Sequence, residues 1–232
     1  MHGATARRVE REWNEEIAVS GDDVTETAGA LAALGAATVG ESGGSAAHLR
    51  LRAAWPGAVV AGPAYPVGCT PGDNLAVHVA VTRAPRGSVL VVDVGQVADR
   101  GYWGEVLTTA AEAAGLVGLV LDGGVRDVAA LQAHRFPVFS SCIALTGATK
   151  DKPGTVGAPV RVGGVLVSPG DWVVGDADGV TFVPGESLAD VLAAGRAREA
   201  KEAGFFEALR AGATTVELLG LDAASVSEAR GG

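Results

Sequence analysis

Arg126 and Asp127 stand side by side in the stretch LDGGVRDVAAL, residues 121–131. Apolar residues precede them, two glycines break the run, and helix-like apolar spacing follows. Arginine offers a planar fork of donors for a carboxylate. Aspartate offers a hard oxygen for Mg²⁺ or a similar cation. Together they suit a 2-oxo acid bound with a metal ion. A plainer reading fits the same residues: Asp127 caps the helix begun by VAALQ, as aspartate commonly does, and Arg126 pairs with a surface carboxylate. The stretch alone leaves both readings open.

A second stretch, RGYWGEVL (residues 100–107), places Gly101 and Gly104 around two aromatics just before a predicted helix. Free N–H groups at a helix start, with the helix dipole, favour an anion. Gly104 would let a ligand approach the backbone closely. The alternative is a loop and helix start whose Tyr102 and Trp103 pack on a neighbour. The two stretches occupy equivalent points of successive β/α units. Neighbouring parallel strands would bring them together beyond their carboxyl ends, where ligands of α/β sheets gather. Gly123 and Gly124 would then clear space where the strand ends and a substrate enters.

Other chemistries lack their residues. GLVGLVLDGG has the wrong spacing for a dinucleotide fingerprint, and neither a phosphate-binding P-loop nor a G-x-S-x-G elbow occurs. His2, His48, His78 and His134 show no metal-ligand clustering. His78 and His134 fall in helical stretches and read as structural. GDADGV (residues 175–180) lacks the remaining ligands of an EF-hand, so Asp176 and Asp178 read as turn residues. With no histidine in either loop, a water positioned by Arg126 or by the metal is the candidate base.

The elements that must position these residues alternate. GSVLVVDVG and LVGLVLDG are short apolar runs, the pattern of strands buried on both faces. NLAVHVAVTRA, GEVLTTAAEAAG and DVAALQAHRF have helical spacing, and PVFSS is a short strand. The order argues for an α/β core with a parallel sheet. GAVVAGPAYPVGC is β-rich but carries Pro63 and Pro66, which predicts an edge or bulged strand. DDVTETAGALAALGAATV predicts a helix with Gly35 at its C-cap. Residues 158–184 predict hairpins packed beside the core. SLAD, Ser187 to Asp190, opens a long helix with an approximate capping box. Its later half has few core positions, the pattern of a helix that packs on a neighbour or lies solvated. The expected organisation is an arm at 1–24, an α/β domain at 25–212 and a tail at 213–232.

Composition bounds the partners. Among 232 residues, 18 Lys and Arg against 27 Asp and Glu leave a net charge of −9. That gives no electrostatic case for nucleic acid or an anionic membrane. Cys69 and Cys142 have no metal-like spacing and read as buried thiols in a reducing compartment, with a single disulfide as the alternative. The start lacks a signal peptide's apolar core, and no run reaches the roughly 18 apolar residues of a membrane span. The expected location is the cytoplasm.

GPAYPVGCTPGDNLAVHVAV, GEVLTTAAEAAGLVGLVLDGGVRD, PVRVGGVLVSPGDWVVGDADGV and AREAKE, in this order, resemble one family. It comprises the 4-hydroxy-4-methyl-2-oxoglutarate/4-carboxy-4-hydroxy-2-oxoadipate aldolases and the related regulators of ribonuclease activity A. The resemblance covers about residues 25–212. Its most specific part is the spacing of twenty-one residues between Gly104 and Arg126. It implies a β/β/α swivelling-domain fold similar to phosphohistidine domains, with terminal helices, assembled as homotrimers or hexamers. It also implies an aldolase that uses Mg²⁺ or Mn²⁺ to cleave such substrates to pyruvate and decarboxylates oxaloacetate. By resemblance, Arg126 holds the keto-acid oxygens and Asp127 anchors the metal, largely through water. The backbone from Gly104 through Glu105 and Val106 to Leu107 binds the pyruvate carboxylate. A glutamate from an adjacent subunit reaches the metal; AREAKE offers Glu199 and Glu202, with Glu202 preferred. The alternative within the family is a non-enzymatic regulator that binds a protein partner. The chain departs from the pattern at Glu105, where the family has Asp, and at Pro66, where Thr is frequent. ALTGATKDKPGTVG and the tail after Gly212 also differ.

Overall fold

The computed structural model describes residues 21–227. The first twenty residues of the expected arm and the last five of the tail lie outside the described residues. Helix α1 (Gly21–Glu41) is interrupted at Gly35, whose φ of 78° is left-handed. The predicted C-cap is therefore a kink, after which the helix resumes. The amide of Ala36, freed at the break, donates to Asp176 Oδ2 at 2.7 Å.

After the short strands β1 (Ser45–Ala46) and β2 (Arg52–Ala53) comes β3 (Val60–Gly68). The α/β core then alternates through helix α2 (Leu75–Arg83), β4 (Val89–Asp93), β5 (Gly101–Trp103), helix α3 (Glu105–Ala114), β6 (Gly118–Val125), helix α4 (Val128–His134) and β7 (Val138–Ile143). Strands β3, β4, β6 and β7 pair in parallel, as the alternation predicts. Gly115 ends α3 in the left-handed conformation. The chain continues through β8 (Thr155–Val156), β9 (Val160–Val162), β10 (Val165–Val167), β11 (Trp172–Gly175) and β12 (Val180–Val183). A mixed, curled sheet runs in the order β1-β12-β11-β3-β4-β6-β7-β2. The result is an α/β fold flanked by terminal helices.

Two expectations about the sheet are corrected. Strand β3 is interior, not an edge: its first four residues pair antiparallel with β11 and its last five pair parallel with β4. Pro63 sits at the changeover, where one ladder ends and the other begins, so its missing N–H breaks no continuous ladder. Of the predicted hairpins, β9–β10 forms a separate two-stranded sheet, but β11–β12 extends the main one. Asp176 sits in the β11–β12 turn and accepts the Asp178 amide, as turn residues do.

The last long helix, α5 (Leu188–Arg210), follows a 3₁₀ turn at Gly185–Ser187. Ser187 occupies the N-cap but makes no side-chain cap bond. Its φ of −95° and ψ of −3° are already helical, outside the extended geometry capping requires. The capping box instead forms at helix α6 (Thr215–Leu219), between Thr214 and Glu217. Helix α5 buries only Val191 and Gly195, and it packs chiefly on α1. Gly195 allows the close approach there, because a Cβ would crowd the Leu34 side chain. Among the described residues, no helix is long and apolar enough to cross a membrane. Both cysteines are free thiols.

Candidate functional site

RGYWG is not a loop. Its first part is strand β5, which extends the sheet past the end of β4 by pairing Gly101 with Gly124 and Trp103 with Val125. Trp103 and Tyr102 are buried, and Trp103 stacks on Phe136 with its centroid 5.9 Å away. The buried indole N–H donates to Thr108 Oγ1 at 2.7 Å, so the anchor carries no unpaired donor. This anchoring sets the start of α3 directly against the end of β6. The Arg126 amide donates to the Trp103 carbonyl at 3.0 Å. The two stretches are thus adjacent through one three-residue strand.

Gly123 and Gly124 have a different role from the one expected. Both are buried inside β6, which runs on to Val125. A side chain at Gly124 would meet the Arg100 carbonyl and Ala144; one at Gly123 would meet Val94 and Leu121. These glycines admit neighbouring protein chain, not substrate.

Asp127 stands at the N-cap of α4, and its carbonyl accepts from Ala130 and Leu131, yet its side chain makes no cap bond there. Its φ of 58° is left-handed, uncommon for a residue other than glycine though tolerated by aspartate. This backbone turns the carboxylate toward the neighbouring helix, where Oδ2 accepts the Glu105 amide at 3.1 Å. Arg126 Nε lies 3.7 Å from the same oxygen, and both side chains are half exposed. Neither the capping of α4 nor a pairing of Arg126 with a remote carboxylate describes the pair.

These residues line a cavity of about 190 Å³. Gly104, Val106 and Leu107 border it from the start of α3, with Arg126 and Asp127 beside them. Because Asp127 uses the Glu105 amide, the Val106 and Leu107 amides are the ones in the first turn without a protein acceptor among the described residues. They are suited to an anion. The Glu105 side chain is not in the cavity wall; its carboxylate lies 3.8 Å from His134 Nε2, while His134 Nδ1 meets Glu112 at 2.8 Å. Glu202 is on α5, paired with Arg198 at 2.8 Å, and within one chain it does not line the cavity.

Besides the β5 residues, the wall includes Asn74, His78, Gly147, Ala148 and Lys150, none of which the sequence placed in the site. Asn74 and His78 lie one helical turn apart at the start of α2, a spacing that shares a face. Lys150 adds a second cation to Arg126. It sits in a loop fastened by the buried Asp73 carboxylate, which accepts from Thr149 Oγ1 and the Asp151 amide at 2.7 Å each, and from Lys152 and Leu75. Burial would raise the Asp73 pKa, but these hydrogen bonds outweigh it and hold the carboxyl well below the usual range. For His78, burial first and Lys150 second push the pKa down against a smaller opposing effect of Asp73, which favours the neutral imidazole. The available sequence signal was GDNLAVH, a polar pair at a helix start with histidine four residues after Asn74.

Asp127 is the only carboxylate among the cavity-lining residues. Among the described residues, no group of three or more His, Cys, Asp or Glu side chains gathers that could hold a metal. This arrangement does not suit a zinc cage. It fits a Mg²⁺-type cation, which keeps several waters and takes one or two carboxylates together with ligand oxygens.

Residues 11–182 match the family described as RraA-like, Aldolase/RraA. The chain belongs to this family. A Halalkalibacterium halodurans protein called "Putative 4-hydroxy-4-methyl-2-oxoglutarate aldolase" is 37% identical over 143 residues, 62% of this chain and 68% of that protein. Two solved structures share the fold. The RNA-processing inhibitor RraA from Thermus thermophilis has a TM-score of 0.56 and 28% identity, covering 61% of this chain and 85% of its own. Streptomyces coelicolor RraAS2, called an unusual member of the RNase ES inhibitor RraA family, has a TM-score of 0.66 and 26% identity, covering 82% and 96%. Proteins similar to this chain thus bear both aldolase names and names of inhibitors of RNA processing.

Proposed function

We propose that the cavity binds a small 2-oxo acid and that the protein acts on it as a divalent-metal-dependent carbon–carbon lyase. The expected reactions release pyruvate from 4-hydroxy-4-methyl-2-oxoglutarate-type substrates and from oxaloacetate. The observation that carries this reading is the convergence of Arg126, Lys150 and two free helix-start amides on one cavity that also holds the Asp127 carboxylate. The Val106 and Leu107 amides orient the 2-oxo acid carboxylate and with it the bond to be broken. Arg126 places a fixed positive charge where the enol oxygen of pyruvate gains negative charge. Asp127 would hold Mg²⁺ or Mn²⁺, largely through water; when bound, the cation supplies Lewis-acid stabilisation of that same charge. In an assembly of several copies, Glu202 or Glu199 of a neighbouring chain is the candidate to complete the site.

A second reading, a non-enzymatic regulator that binds a protein, has the stronger support among the solved relatives, two of which are called inhibitors of RNA processing or of an RNase. The net charge of −9 would suit a basic partner. One experiment separates the two: a panel of 2-oxo acids, including oxaloacetate, assayed for pyruvate with and without chelator. Turnover abolished by chelator and restored by Mg²⁺ or Mn²⁺ supports the lyase. No turnover across the panel refutes it and leaves the regulator.

A further inference from the structure

Asp73 ties two walls of the cavity together without lining it. It stands just before α2, whose start supplies Asn74 and His78, and it is 1% exposed. Its Oδ1 accepts the Leu75 amide at 2.8 Å. Its Oδ2 accepts three donors from one loop: Thr149 Oγ1, the Asp151 amide and the Lys152 amide. Successive amides converging on one oxygen make a concave nest for negative charge.

Lys150 is the one residue of 149–152 that gives this oxygen no hydrogen bond. The chain grips the carboxylate on both sides of Lys150, and Lys150 itself stands in the cavity wall. Among the described residues, its ammonium hydrogen-bonds only to the Ala148 carbonyl, 3.3 Å away in the same loop. The backbone of the loop therefore sets where this cation sits. Among the described residues, the hydrogen bonds that tie residues 149–153 to the rest of the protein all end on residues 70–74. Three of them meet at the single Asp73 oxygen.

We propose that Asp73 is a positioning residue for the anion site: its carboxylate gathers the 149–152 loop and holds the Lys150 ammonium at the cavity. The proposal rests on the 2-oxo acid reading of the cavity. The negative charge is specific to the task. An asparagine has one acceptor oxygen, and its NH₂ group would face either the Leu75 amide or the three loop donors, donor against donor. A loop released in this way must be ordered again by the ligand, and the ordering subtracts from affinity.

The test is calorimetric titration of the full chain with oxalate in the presence of Mg²⁺. Oxalate is an unreactive anion that carries the adjacent oxygens of a 2-oxo acid. Lys150→Ala should weaken binding by about tenfold or more, the usual contribution of one charge-assisted hydrogen bond. Asp73→Asn should weaken it by about threefold or more, and should add nothing in the Lys150→Ala background, because it acts through that ammonium. Thr149→Val, which removes one loop donor at similar volume, should lose about twofold or more, and Thr149→Ser should restore wild-type affinity. Circular dichroism checks that each variant folds. A purely structural Asp73 would lower the melting temperature and leave the affinity of the folded protein untouched. Wild-type affinity in folded Asp73→Asn overturns the proposal, as does a loss that persists in full beside Lys150→Ala. If Asp73→Asn does not fold, wild-type affinity in Thr149→Val decides the same way. Oxalate binding that Lys150→Ala weakens and the Asp73 and Thr149 variants do not removes the proposal and keeps the 2-oxo acid reading. No oxalate binding by the wild-type protein removes that reading, and the proposal with it.

Discussion

The Asp127 carboxylate fills the space in which a side chain at Gly104 would begin. A Cβ there would stand well inside contact distance of Asp127 Oδ2 and 3.1 Å from Arg126 Cγ. Glycine at 104 and aspartate at 127 are therefore one device: the missing side chain lets the carboxylate reach the Glu105 amide across the helix start. Gly104→Ala should displace Asp127 and lower pyruvate release by about 10²-fold, the usual cost of a misplacement near 1 Å. Steady-state kinetics at wild-type level in a folded Gly104→Ala protein would show that this fit has no functional role.

Arg126→Ala and Asp127→Ala should each lower pyruvate release by about 10²–10³, the typical cost of one preorganised electrostatic group. Asp127→Asn separates charge from backbone, since asparagine also tolerates left-handed φ. It should melt near the wild-type temperature while losing activity. Asp127→Val should be destabilised by about 1–2 kcal/mol, because a β-branched residue resists φ near 58°. Thermal melts with parallel kinetics check both; activity in Arg126→Ala and Asp127→Ala equal to wild type would remove the site.

Asp73 should make stability depend on pH. Its folded-state pKa lies below the unfolded value, so its contribution is present above about pH 4 and is lost as pH falls through the folded value. Asp73→Asn should cost about 2–4 kcal/mol near neutrality, as buried charge-assisted hydrogen bonds to the 149–152 loop weaken. The difference from wild type should narrow below pH 4. Denaturant melts at pH 7 and pH 3 measure it; a gap that widens in acid contradicts this assignment.

Cys69 should be unreactive in the native protein. Burial first, then the nearby Asp73 and Asp93, push its thiol up to about 12. At pH 8 the thiolate is then roughly three orders of magnitude scarcer than for a free cysteine. Iodoacetamide followed by mass spectrometry should label Cys69 only after denaturation, and rapid native labelling would disprove the buried environment.

Much of the core was legible because its signals are local. The apolar runs before Asp93 and Asp122 are buried parallel strands, and the helical spacing between them is made by the chain segment itself. Arg126 and Gly104 could be singled out because each sits at a strand or helix end, where backbone groups are free. Asn74, His78 and Lys150 were not legible as site residues: their membership depends on how α2 and the 147–152 loop fold over α3, a contact between segments more than forty residues apart in sequence for Lys150. The edge assignment of β3 failed for a similar reason, since prolines report a broken ladder but not which two ladders meet there.

Side-chain type and spacing by themselves determined the alternating α/β order, the family resemblance and the two charged or glycine-flanked ends that carry the chemistry. Tertiary structure alone decided that β5 joins those ends, that Asp127 turns to the neighbouring helix, and that Gly123 and Gly124 admit chain rather than substrate. It also decided that Asn74 Oδ1 and His78 Nε2 are buried without a hydrogen-bond partner among the described residues. The reason is physical: periodicity and capping act within a few residues, whereas burial, close approach and an unpaired hydrogen-bonding atom exist only once distant segments have packed.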